Sequence, residues 1–99
     1  MNIQALMKQA QTLQKDMMKA KEEVDAMTFT GTSSFVSVTV KGTKEVVKVT
    51  IDNDDISGDD KEMIEDMLVI ALNDAFKQVD KMTEQKMGKF SNMMPGGLF

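Results

Sequence analysis

Apolar residues at Ile3, Leu6, Ala10, Leu13, Met17, Ala20, Val24 and Met27 recur at alternating steps of three and four. The spacing predicts a helix over residues 3–27 with one narrow apolar seam, capped by Asn2. At ~1.5 Å per residue this helix is roughly 37 Å long. Such a seam suits packing along another helix better than lying flat on a sheet. The period then changes to two. Thr28-Phe29-Thr30 reads as a short strand ending at Gly31. From Phe35 to Lys41, Val36, Val38 and Val40 share one face. From Lys44 to Ile51, Val47, Val49 and Ile51 share one face, with Lys48 and Thr50 on the other. Gly42-Thr43 between the last two reads as a tight hairpin turn, so the strands form an antiparallel meander with one apolar face.

A second helix is expected over about residues 60–87, with Asp59 as cap, Glu62 as its capping-box partner and Gly88 as the stop. Its acidic start, Asp60, Glu62, Glu65 and Asp66, agrees with the helix dipole. The set Met63, Ile64, Met67, Leu68, Ile70, Ala71, Leu72, Ala75, Phe76 and Val79 covers more than half the circumference. One sheet face cannot bury that much, so the helix needs either the first helix or another subunit. The expected fold class is α+β, an α-β-β-β-α protomer. It forms one domain over residues 1–88, followed by a flexible Met/Gly/Pro tail over 89–99. A meander with open edges and excess apolar surface points to a twofold homodimer.

The 99 residues hold no Cys, His, Trp or Tyr. The commonest acid–base, nucleophilic and metal-ligating side chains are thereby absent, so no enzymatic activity and no cofactor are expected. Asn53, Asp55, Ser57 and Gly58 imitate part of an EF-hand loop. Ile64 stands where its last glutamate belongs and a strand precedes it, so specific calcium binding is rejected. Neighbouring carboxylates such as Asp54/Asp55 and Glu65/Asp66 have no pocket-forming partners and read as solvated faces. No P-loop, dinucleotide fingerprint or nucleophile elbow is present. The longest apolar run, Met67 to Leu72, is too short to span a bilayer, and no signal peptide is seen; a cytoplasmic protein without a membrane partner is expected.

All 12 basic residues are lysine, against 16 acids, for a net charge of −4. The balance is uneven: residues 1–51 carry seven lysines and five acids, residues 52–87 four lysines and eleven acids. Lys8, Lys15 and Lys19 share the face of the first helix opposite its seam, with Gln4, Gln11 and Thr12 near them and Lys21 to one side. Such a stripe can meet phosphates, and Gln adds polar contacts. A solvated helix face has the same pattern, and spacing alone leaves both readings open. Lys86 and Lys89 are weaker candidates of the same kind. Met17, Met27, Met63 and Met67 read as core or interface filler. Met93 and Met94, near Leu98 and Phe99, make an apolar tail end suited either to a groove of the protein's own dimer or to a docking peptide.

Several segments in this order resemble the YbaB/EbfC family of bacterial nucleoid-associated proteins. They are Met7-Lys8-Gln9-Ala10-Gln11, the hairpin from Val36 to Gly42, Glu45 to Asp52, Asp60 to Met67, Asn73-Asp74-Ala75 and the Gly/Met/Pro tail. The chain departs from the family pattern at Thr32 to Ser34, Ser37, Lys41 and Asn53. The resemblance implies a helix–three-strand–helix protomer and a homodimer shaped like tweezers. It also implies binding of double-stranded DNA with little sequence preference, in the cytoplasm and nucleoid, to organise or regulate the chromosome. On that footing the expected DNA-binding residues are Lys8, Lys15, Lys19, Lys21, Gln4, Gln11, Lys86 and Lys89. The alternative is a homodimeric interaction scaffold serving a DNA-processing protein partner.

Overall fold

A computed structural model describes residues 2–91 and gives helix α1 (Ile3–Asp25), strands β1 (Thr28–Ser33), β2 (Val36–Lys41) and β3 (Val46–Ile51), and helix α2 (Lys61–Ser91). The strands form one antiparallel sheet in the order β1-β2-β3. The expected α-β-β-β-α order is therefore present. Asn2 caps α1, its Oδ1 accepting from the Ala5 amide at 3.3 Å.

Val36, Val38 and Val40 turn inward from the central strand and are fully buried with Phe29, Ala71, Ala75 and Val79. Gly31 fixes how closely α2 approaches. A Cβ there would stand 2.0 Å from the Ala71 carbonyl oxygen and 2.5 Å from the Ala75 nitrogen. The helix backbone thus rests directly on β1, which is why small residues occupy 71 and 75. Glycine also does not end β1, as its position in the sequence suggested. The strand continues to Ser33 because Gly31 pairs with Val38 and Ser33 with Val36, and Ser34 makes the turn with φ 54°. Positive φ at Lys44 (71°) likewise closes the second turn, with the Lys41 amide donating to the Glu45 carbonyl at 2.8 Å.

β3 departs from its expected alternation. Thr39 pairs with Lys48 but Val40 with Val46, so Val47 is a bulge residue and Val46 joins Val49 and Ile51 on the helix side. None of these is covered, and every residue of β3 is exposed, because α2 lies across β1 and β2. The two sheet edges consequently differ. Along β1, the Asp74 carboxylate accepts from the Thr32 amide at 3.2 Å, and Gln78 Nε2 donates to the Thr30 carbonyl at 2.9 Å. These side chains occupy the backbone groups that an added strand would need. Along β3 the edge is open.

The start of α2 also differs from expectation. A 3₁₀ turn, Gly58–Asp60, precedes it, and the box is built on Ser57 and Asp60 instead of Asp59 and Glu62. The Ser57 amide donates to the Asp60 carboxylate at 3.0 Å. Gly88 does not stop α2. The helix runs on to Ser91, so residues 89–91 belong to it and not to a tail, because Met87 and Phe90 are buried against Ala20, Leu13 and Met17 of α1. Burial of such side chains outweighs the ~1 kcal/mol helix penalty of glycine. The remaining residues of the expected tail, 92–99, lie outside the described residues.

Gly31→Val should cost more than about 3 kcal/mol in urea unfolding, since the clash is with helix backbone that cannot step aside. Gly58→Ala, where an added Cβ meets nothing within 4 Å, should cost far less.

Candidate nucleic-acid interface

α1 is held at two levels. Near its C-terminal end the backbone packs against the second hairpin: a Cβ on Gly42 would fall 1.8 Å from the Val24 carbonyl oxygen, and the Gly42 amide donates to the Met27 carbonyl at 3.0 Å. Further along, Leu13, Met17 and Ala20 of the seam meet Met87 and Phe90. The two helices run antiparallel and form an arm that extends a molecule 71 Å long and only 21 Å across. The seam predicted from the heptad spacing is thus a helix–helix contact, but only over its C-terminal half. Ile3, Leu6 and Ala10 are exposed.

Charge separates along this length. Residues 2–15 and 85–91 carry Lys8, Lys15, Lys86 and Lys89 and no acid. Residues 52–80, at the other end of α2 and in the loop before it, carry ten acids and two lysines. Helix pairing sets residues 85–91 beside residues 13–23 of α1, where Lys86 meets Glu23 and Phe90 meets Leu13, and most of the acid-free stretch of α1 lies beyond that contact. The net of −4 is an average over the chain: the two stretches hold four lysines and no acid, and the rest of the chain is correspondingly more acidic.

The predicted site residues fall into three settings. Gln4, Lys8, Gln11 and Lys15 lie exposed along the outer face of α1. The Thr12 hydroxyl beside them donates to the Lys8 carbonyl at 3.0 Å and so is turned back on its own helix. Lys19, Lys86 and Lys89 come together on one shallow cleft between the helices, a juxtaposition that needed the fold to appear. Asp16 and Glu23 line the same cleft, and Lys86 pairs with Glu23 at 3.5 Å. Lys89 stands over the Phe90 ring, 5.0 Å from its centroid. Lys21 is apart from both groups, paired with Asp25 at 3.0 Å near the base of the arm. The hairpin lysines are partly neutralised as well: Lys44 binds Asp80 at 2.8 Å and Lys41 approaches Glu45 at 3.6 Å. Among the described residues Lys8, Lys15 and Lys19 form no ion pair. No group of three acidic side chains able to hold a metal occurs among the described residues, and no described helix is long and apolar enough to cross a membrane.

The model of the YbaB/EbfC DNA-binding family matches residues 1–94. The chain belongs to that family. Among its relatives, a nucleoid-associated protein of Streptococcus thermophilus is 45 % identical over 97 residues, covering 96 % of this chain and 98 % of the relative. A nucleoid-associated protein of Lactococcus lactis is 43 % identical over the same length and coverage. The crystal structure of an uncharacterized protein from Helicobacter pylori superposes with a TM-score of 0.71 at 27 % identity, covering 95 % of this chain and 99 % of that one. The fold shared with that structure therefore includes both helices.

The arm depends on one aromatic contact. Phe90, 3 % exposed, closes the interhelical cluster. Phe90→Ala should destabilise the protein by about 3 kcal/mol. Hydrogen exchange should quicken over residues 13–24 while Val36, Val38 and Val40 retain their protection.

Proposed function

We propose that this is a nucleoid-associated protein that binds double-stranded DNA with little sequence preference, through contacts between lysines of the arm and backbone phosphates. The observation that carries the reading is the exposed outer face of α1, where residues 2–15 hold no acid and where Lys8, Lys15 and Lys19 form no ion pair among the described residues. Lys8, Lys15 and Lys19 provide the principal stripe, with Gln4 and Gln11 as polar contacts, and Lys86 and Lys89 extend it across the second helix. Lys21 makes a smaller contribution, since Asp25 holds its ammonium. The acidic body repels phosphate and confines contact to the arm. Affinity in this design comes from counterion release, and sequence selectivity is low because phosphates carry no base information. Binding of this kind acts in the nucleoid, to organise the chromosome or modulate expression.

The working unit in this reading is a homodimer formed along β3. Side chains of α2 occupy the outer edge of β1, whereas β3 offers a free edge with Val46, Val49 and Ile51 exposed on the helix side. Antiparallel pairing of two β3 strands extends the sheet across a twofold axis and buries that apolar face. Two arms then project as the grips of a tweezer. The acidic face of α2 favours a second reading, a scaffold for a DNA-processing protein, which predicts no retention of arbitrary duplex.

Three lysines in each of two subunits give about six phosphate contacts and a log–log salt slope of roughly −5. Replacing Lys8, Lys15 and Lys19 with Gln should leave the melting temperature nearly unchanged and reduce both slope and affinity in a mobility-shift titration. The opposite change should follow from Asp16→Asn with Glu23→Gln, which removes the acids from the cleft and should tighten binding. Parental protein that fails to retard duplex DNA at low salt would leave the scaffold. Val49→Glu should stay folded and sediment as a monomer of about 11 kDa, because the added charge disfavours pairing at the open edge.

A further inference from the structure

Two apolar stripes on the helices have no partner among the described residues. The first is the outer part of the α1 seam, Ile3, Leu6 and Ala10, where Ile3 is 68 % and Leu6 49 % exposed. The second lies on the first half of α2. Met63, Met67 and Ile70 follow one another at steps of four and three, so they share a face. Met63 is 43 % and Ile70 57 % exposed, with Met67 half-buried between them. The next residue on the same line is Asp74, whose carboxylate accepts from the Thr32 amide at the outer edge of β1. The stripe therefore stands on the β1 side of α2, and pairing along the opposite edge at β3 does not reach it.

We propose that the two stripes bind each other between copies, the outer end of α1 of one molecule lying antiparallel along Met63, Met67 and Ile70 of another. Three observations select this occupant. First, the spacings match. Ile3, Leu6 and Ala10 stand at steps of three and four, and so do Ile70, Met67 and Met63 when α2 is followed backwards. Antiparallel packing sets Ile3 against Ile70, Leu6 against Met67, and the small Ala10 against the adaptable Met63. Second, the charges are opposite. Residues 2–15 hold two lysines and no acid, whereas residues 52–70 hold eight acids and one lysine. Pairing the α1 seam with the same seam of another copy would set like charges side by side, as would pairing the α2 stripe with itself. Third, one chain cannot satisfy both stripes. Along α2, Met67 lies 23 residues from Phe90, about 35 Å, and the open part of the seam continues from Phe90 in the opposite direction.

The contact joins unlike surfaces and so does not close on itself. Each molecule keeps a free arm at one end or a free stripe at the other, and copies add head to tail. Two or three turns of helix bury far less than the ~1,200 Å² of a stable interface, so assembly is reversible and grows with concentration. Lys8 and Lys15, on the face opposite the seam, remain turned outward.

The contact goes beyond both readings above and is measured without DNA. Loss of β3 pairing would lower the mass of the building unit and leave its assembly intact. In sedimentation equilibrium of the full chain at low salt, the parent should assemble beyond its smallest species, and added salt should weaken that assembly. Leu6→Gln and Ile70→Gln, both at exposed helical positions, should stay folded and each weaken association about tenfold. Fluorescently labelled Ile70→Gln, with its arm intact, should bind Leu6→Gln about tenfold more tightly than it binds itself, since each supplies the surface the other lacks. Parental affinity retained by either single variant would assign a stripe to its own like and overturn the proposal. Assembly that holds or strengthens as salt is raised would overturn it too, as would equal affinities in the labelled experiment or a parent that never exceeds its smallest species.

Discussion

The contact of Gly31 with Ala71 and Ala75 sets the position of everything else in this protein. Because β1 presents no side chain at that point, the backbone of α2 settles onto the strand instead of riding above it. Asp74 and Gln78, three residues after Ala71 and Ala75 respectively, then reach the free edge of β1 and occupy its backbone groups. The same placement draws α2 across β1 and β2 and away from β3. One small-residue contact therefore seals one edge of the sheet and leaves the other open.

It also fixes where the arm emerges. α2 is longer than the sheet it covers, and once its middle is anchored on β1 its last turns have only α1 to pack against. Met87 and Phe90 complete the half of the α1 seam nearest the body. That pairing covers α1 from Leu13 onward, and the turns beyond it belong to a stretch, residues 2–15, that holds lysines and no acid, so the outer end of α1 is basic in an acidic protein. For a ligand with regularly spaced phosphates, the local sign of charge matters more than the net charge, since screening limits each interaction to about 8–10 Å. The cleft that gathers Lys19, Lys86 and Lys89 also holds Asp16 and Glu23, so the positive character is strongest along the outer face of α1.

The chain by itself determined the elements and their order. Heptad spacing in α1, period-two valines in β2 and the dense apolar face of α2 are local patterns, and local patterns survive without knowledge of the partner. The face that carries Lys8, Lys15 and Lys19 was legible for the same reason, since helical geometry alone puts them opposite the seam. Where several local signals competed, the packing decided. Gly31 and Gly88 both read as stops, yet a strand passes through one and a helix through the other, because pairing with Val38 and burial of Phe90 outweigh the conformational freedom of glycine. The bulge at Val47 and the shift of the capping box to Ser57 and Asp60 likewise follow from registers that are set by neighbouring elements. Only the tertiary structure could say which sheet edge is closed, which lysines an acid already holds, and that Lys19 meets Lys86 and Lys89. The closed edge depends on side chains 42 and 48 residues away in the chain, and the free energy that brings such groups together comes from burying apolar surface, which carries no local signature of where it will act.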